Sequence, residues 1–263
     1  MPSIDVNGAV LAYEARGPRD ADTLLLLHGL GSCAADWEPQ LPAFEREYAV
    51  IAVDLAGHGR STMLRGRPSI DAMAADVEVV LDTLGIRAAH VVGLSIGGCV
   101  ALALALRAPG RVRSLVLVNT FARLRPAGPR AAARMLVRLA LLLGAPMPAL
   151  GRFVARTLFP HPAHTGLRAT AAARLAANDR RAYFAAMRAI IRFDVRRRLG
   201  EIRCPTLVIA GACDGTIPLA AKQALADGIP GARLVVVLES GHVTNWDQPA
   251  TFNRIVERFL TER

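Results

Sequence analysis

Lysine is all but missing: of 32 cationic residues only Lys222 is a lysine, and the rest are arginine. Cysteine is sparse. Cys33, Cys99, Cys204 and Cys213 show no paired short spacing, which excludes a zinc-type CxxC pair and reads as reduced, small apolar side chains in a reducing compartment. The opening MPSIDVNGAV has neither the basic nor the apolar segment of a secretory signal. The uncharged apolar stretch at 139–150 is broken by Gly144, Pro146 and Pro148 and is too short to cross a bilayer. A cytoplasmic protein without a membrane span is the expectation. Acidic residues almost vanish between 120 and 200, where only Asp179 and Asp194 stand against 16 arginines. No recognition motif accompanies this basic stretch, so no nucleic-acid partner is expected. Two readings of it stay open: solvated helix faces in a chain biased to arginine and alanine, or a field that draws anionic substrates to a nearby site.

What is present is an alternation. The chain has 263 residues, 52% of them hydrophobic, enough for one large core of α/β type. Short β-branched or leucine-rich runs at 10–15, 23–27, 49–54, 90–94, 114–119, 206–210 and 233–238 predict strands. Most carry apolar residues without alternation, as strands covered on both faces do. Helical spacing predicts helices over 70–84, 96–106 and 249–260. The pattern predicts a mostly parallel sheet that opens with an antiparallel hairpin. From 121 to 199 there is helical patterning and there are prolines, but no convincing strand. That interval reads as a helical insertion packed on one end of the sheet.

Gly93-Leu94-Ser95-Ile96-Gly97 fits G-x-S-x-G at the junction of a predicted strand and a predicted helix, the context the motif requires. The sharp turn lifts the serine hydroxyl above the sheet and aims helix N-terminal N–H groups at developing negative charge. A serine hydroxyl is a weak nucleophile and needs a base, and the base needs an orienting acid. His242 follows the last predicted strand, and Asp214 follows the strand before it. All three residues therefore fall at one sheet edge, in the order Ser, Asp, His. His28-Gly29-Leu30-Gly31 ends the strand at 23–27, and the backbone N–H groups of Leu30 and Ile96 are the candidate oxyanion hole.

The segments LLLLHGLGS, AVDLAGHGRS, GLSIGG, PTLVIAGACDGTIP and SGHVTNWDQP occur in an order and spacing that resemble the α/β-hydrolase superfamily over essentially the whole chain. The closer similarity is to small esterases and 3-oxoadipate enol-lactonases. The resemblance implies an α/β-hydrolase fold: a mostly parallel eight-stranded sheet with helices on both faces, a core of residues 1–120 and 200–263, and a helical cap over 121–199. It implies Ser95, Asp214 and His242 as the triad of a serine hydrolase that needs no cofactor or metal and acts on a small-molecule ester or lactone, with an anionic substrate one option. Cleavage of an enol-lactone, or of a C–C bond in a vinylogous diketone, stays open, as does a weakly catalytic small-molecule receptor. The apolar cap helices can serve as a lid or as an interface in a homo-oligomer. Several polar residues are expected to play lesser parts. His28, Asp54 and His58 brace loops, Asp247 anchors the last helix, and His161 and His164 belong to a cap loop.

Overall fold

The computed structural model describes residues 2–6, 8–63, 68–126 and 128–262. Its strands are β1 (Ser3–Val6), β2 (Ala9–Arg16), β3 (Thr23–Leu27), β4 (Ala49–Val53), β5 (Ala89–Leu94), β6 (Val112–Val118), β7 (Thr206–Gly211) and β8 (Arg233–Val237). They form one sheet in the order β1-β2-β4-β3-β5-β6-β7-β8. The β1–β2 and β2–β4 pairs are antiparallel, and every later pair is parallel. The unbroken leucine run of β3 follows from its place inside this sheet. Leu25 and Leu27 enter the hydrophobic cluster on one face while Leu24 and Leu26 enter that on the other. Successive side chains alternate between faces, and here both faces are covered, so both must be apolar.

The helices are α1 (Leu41–Phe44), α2 (Ile70–Thr83), α3 (Ile96–Arg107), α4 (Pro129–Gly144), α5 (Met147–Leu158), α6 (Thr165–Ala176), α7 (Arg180–Arg192), α8 (Leu219–Gly228), α9 (Thr244–Asp247) and α10 (Pro249–Thr261). On one face α2 contributes Met73, Val77 and Val80, and α8 contributes Leu225. On the other, Phe252, Val256 and Phe259 of α10 pack with Trp37 and Phe44. Residues of α3 from Ile96 to Ala105 are all buried, as its apolar circumference predicts.

The interval from 121 to 199 holds α4 to α7, and its β pairing among the described residues is the isolated Arg123–Asp194 bridge. These helices have a core of their own, including Leu142, Leu150, Val154, Leu175 and Tyr183. α7 joins the two layers, because Ala186, Ala189 and Ile190 pack into the cluster on the sheet. Arginine here does structural work that suits its forked head group. Arg180 donates from Nη1 to the Leu142 carbonyl at 2.6 Å and from Nη2 to that of Ala145 at 2.5 Å, satisfying carbonyls at the end of α4. Its planar fork reaches two acceptors at once, which a single ammonium does less well. No helix among the described residues is long and apolar enough to cross a membrane.

Candidate active site

β5 ends at Leu94 and α3 begins at Ile96, so Ser95 alone makes the turn, at φ +54° and ψ −113°. Positive φ costs a non-glycine residue on the order of 1–3 kcal/mol and persists only where the surroundings enforce it. They do so here. A Cβ on Gly93 would meet the Gly97 carbonyl oxygen at 2.4 Å, and one on Gly97 would meet that of Leu27 at 2.1 Å. The Ser95 N–H donates to the Val118 carbonyl at 2.9 Å, and the Ser95 carbonyl accepts from Thr120 Oγ1 at 2.6 Å. Both backbone groups of the serine are held, leaving its side chain as the free part. Ile96 opens α3, where a backbone N–H has no intrahelical acceptor.

Asp214 lies three residues beyond β7. Its Oδ1 accepts the N–H groups of Thr216 at 2.7 Å and Ile217 at 3.1 Å. Its Oδ2 meets His242 Nδ1 at 2.9 Å and Lys222 Nζ at 2.7 Å. Burial alone would raise this carboxyl, but His242 and Lys222 overcome it and bring it down to about 2. An ionised carboxylate only accepts, so Nδ1 of His242 carries a proton, and in the neutral ring Nε2 is the acceptor. Lys222 is wholly buried, and that burial pulls its ammonium below the ordinary lysine range against the opposing pull of Asp214. The loop bearing His242 is fixed from several sides. The His242 N–H donates to the Leu158 carbonyl of α5 at 3.1 Å, and Asn119 Nδ2 donates to the His242 carbonyl at 2.9 Å. The sequence places Asp247 where it could anchor the last helix. Its carboxylate instead turns back, accepting from Ser240 Oγ at 2.8 Å and from the Gly241 N–H at 2.6 Å.

Ser95, His242 and Leu30 line one cavity of about 170 Å³ between the sheet edge and α4 to α7. Asp214 stands behind His242, and the Ile96 side chain points into the core. Most of the lining is apolar, with Phe121, Phe153 and Met187 among it. Trp246 also lines the cavity, stacked on Phe159 at 6.1 Å, whereas Trp37 packs against Phe252 in the core. Arg134, Arg138 and Arg174 reach the same space, and Asp36 is the carboxylate among the lining residues.

A family model described as alpha/beta hydrolase fold matches residues 22–249. The chain belongs to the α/β-hydrolase fold family. This α/β hydrolase is 39% identical, over 95% of its length and 96% of the relative's, to a protein of Variovorax paradoxus (strain S110) named "Putative carbamate hydrolase RutD". It is 36% identical to the protein of the same name from Stutzerimonas stutzeri (strain A1501), over 95% of its length and 97% of the relative's. Among solved structures it resembles the enol-lactonase from Burkholderia xenovorans LB400. The two are 30% identical, the match covers 99% of this chain and 100% of that one, and the TM-score is 0.91.

Three further polar residues that the sequence places near the site of the hydrolase have other parts to play. The Leu55 N–H donates to His28 Nε2 at 2.9 Å, so the ring proton sits on Nδ1, which donates to the Gly29 carbonyl at 2.8 Å. Burial, reinforced by His58, pushes His28 down to about 3, so the ring is a neutral brace between two loops. Asp54 accepts from the N–H groups of Ala34 at 2.6 Å and Arg60 at 3.0 Å. Cys99 is buried on α3 with its thiol pushed up to about 12, which leaves no thiolate at neutral pH. Lys222 and Asn119 did not emerge from the sequence. For Lys222 a signal existed, since a chain that uses arginine at every other cationic position departs from that habit once.

Proposed function

We propose that this hydrolase is a serine hydrolase that cleaves a carboxylic ester or lactone through an acyl-enzyme on Ser95. The observation that carries the reading is the 2.9 Å Asp214–His242 pair, whose imidazole opens onto the same cavity as the serine at the strained turn. His242 Nε2 takes the Ser95 proton as the oxygen attacks the carbonyl carbon. The N–H groups of Leu30 and Ile96 receive the oxyanion, and such a donor is typically worth about 3–4 kcal/mol in the transition state. As the carbonyl re-forms, His242 returns the proton to the departing alkoxide oxygen. In a lactone that oxygen stays on the acyl chain. Water, deprotonated by His242, then attacks the acyl-enzyme and restores Ser95. Asp214 holds the tautomer and stabilises the imidazolium.

Helices α4 to α7 act as a cap that shapes the acyl pocket and limits water. The three guanidinium groups facing the cavity, opposed by Asp36, favour a substrate bearing a carboxylate. A second reading, hydrolysis of a carbamate by the same steps, is favoured by the two relatives that carry that name.

The test is Ser95→Ala assayed on a nitrophenyl ester, with a fluorophosphonate probe on the parent chain. We expect kcat to fall by on the order of 10⁶ and the probe to label Ser95. Undiminished turnover in the variant removes the assignment. A panel of esters, lactones and carbamates ranked by kcat/KM then decides between the two readings.

A further inference from the structure

Lys222, at the end of the first turn of α8, has a side chain that is 0% exposed. Its ammonium meets Asp214 Oδ2 at 2.7 Å and the Gly211 carbonyl at 3.4 Å. The oxygen it holds is the one that accepts from His242 Nδ1. A guanidinium placed there would bring five N–H donors to two acceptors and leave buried donors unpaired. That is a physical reason for one lysine in a chain otherwise cationic only through arginine.

We propose that Lys222 is a positioning residue that keeps His242 in its basic form to lower pH, by holding the orienting carboxylate in a charge-balanced buried pair. The inference rests on reading Ser95, Asp214 and His242 as the triad. Its sign follows from counting charge. With the lysine in place, Asp214 and Lys222 sum to zero, and a proton on His242 adds an uncompensated charge to a buried site. Without the lysine, the same proton neutralises a buried carboxylate and is favoured. Burial disfavours charge on both partners, and each is held charged by the attraction of the other, which is why losing one shifts the balance for the rest of the cluster.

Other charges face the trio. From α9, Asp247 is engaged by Ser240 and the Gly241 N–H, with His164 near it. From α4, Arg134 donates to the Gly215 carbonyl at 2.8 Å. Against α8 lie Arg233 of β8, paired with Glu262, and the turn Arg196–Glu201, where Arg196 pairs with Asp194, Arg198 pairs with Glu201, and Arg197 is exposed. On α8 itself Asp227 is bound to Gln223, and Glu239 and Cys213 are exposed on flanking loops. The charges at the surface are screened within about 8 Å at physiological salt, whereas Lys222 acts at bonding distance.

The experiment uses the full chain with its one lysine labelled with ¹³C and ¹⁵N, so that NMR reports Lys222 alone, together with kcat/KM against pH for the parent, K222M and K222Q. We expect a slowly exchanging ammonium signal whose shift titrates with the acid limb of kcat/KM. In both variants that limb should move up by about one pH unit or more. A structural role would lower activity or melting temperature without moving the limb, and an unmoved limb overturns the proposal. If neither variant folds, the parent signal decides: a lysine resonance indifferent to pH across the acid limb overturns it. The signal is read without turnover, so activity surviving in Ser95→Ala sinks the triad reading by a separate route.

Discussion

Asn119 stands at φ +45° just past β6, wholly buried, and its amide ties together three parts of the site. Oδ1 accepts the Gly211 N–H at the end of β7, and Nδ2 donates to the His242 carbonyl and to Thr244 Oγ1 at 2.8 Å. The loops bearing Asp214 and His242 are thus registered to each other through a residue that touches neither functional group. Asn119→Ala leaves the Gly211 N–H and the His242 carbonyl buried without that partner, while Thr244 Oγ1 keeps its bond from Ser240. Each such loss costs roughly 1–3 kcal/mol, so we expect about 2–4 kcal/mol less stability by denaturant unfolding and a kcat down by about 10–100-fold. The sequence reading named Ser95, Asp214 and His242 because their chemistry is scarce in cores and each follows a strand. Asn119 and Lys222 escaped it because their parts depend on partners 92 or more and eight residues away, Gly211 and Asp214, that only folding supplies.

At the scale of elements, α2 carries a charge in the wrong place. Asp76 is buried on its packed face, its Oδ2 has no partner among the described residues, and burial raises its carboxyl to about 6. Below the unfolded value near 3.8 the acid is neutral in both states and the fold bears no penalty. Between about 3.8 and about 6 the unfolded chain ionises this acid while the fold still holds it protonated, so stability falls as pH rises across that window, by up to about 3 kcal/mol, and stays at the lower level above it. Asp76→Asn should therefore raise the melting temperature at pH 8, worth about 1–3 kcal/mol, and leave it nearly unchanged near pH 3.5. A gain of equal size at both pH values would discount the titration. The extents of β3, α3 and α10 were legible because the apolar runs of the first two and the apolar stripe of the third are uninterrupted, and each agrees with its predicted span to within one residue. α8 was not singled out. Its buried positions, Lys222 and Leu225, include a charged one, and a hydrophobic pattern does not register a buried ion pair.

For the molecule as a whole, the arginine excess over α4 to α7 divides its labour. Some guanidiniums cap carbonyls, as Arg180 does, while Arg138 lies over the Tyr183 ring at 5.4 Å and lines the cavity. If the cavity-facing groups draw anions, kcat/KM for a carboxylate-bearing ester should fall several-fold when ionic strength rises from about 0.1 to about 1 M, where the Debye length shrinks from about 10 to about 3 Å. A neutral ester of the same acyl chain should change little. Equal salt response of the two esters would confine the arginines to structural work. The sequence by itself determined the alternation of strands and helices and the glycine-flanked junction that holds Ser95, because side-chain periodicity and the close Gly93–Gly97 approach arise between near neighbours in the chain. Only the tertiary structure decided what surrounds that serine. The cavity's shape and the clasp of Asn119 are set by distances between segments far apart in the chain, and the burial of Lys222 against Asp214 by the packing of α8 on the sheet; local preference carries no information about either.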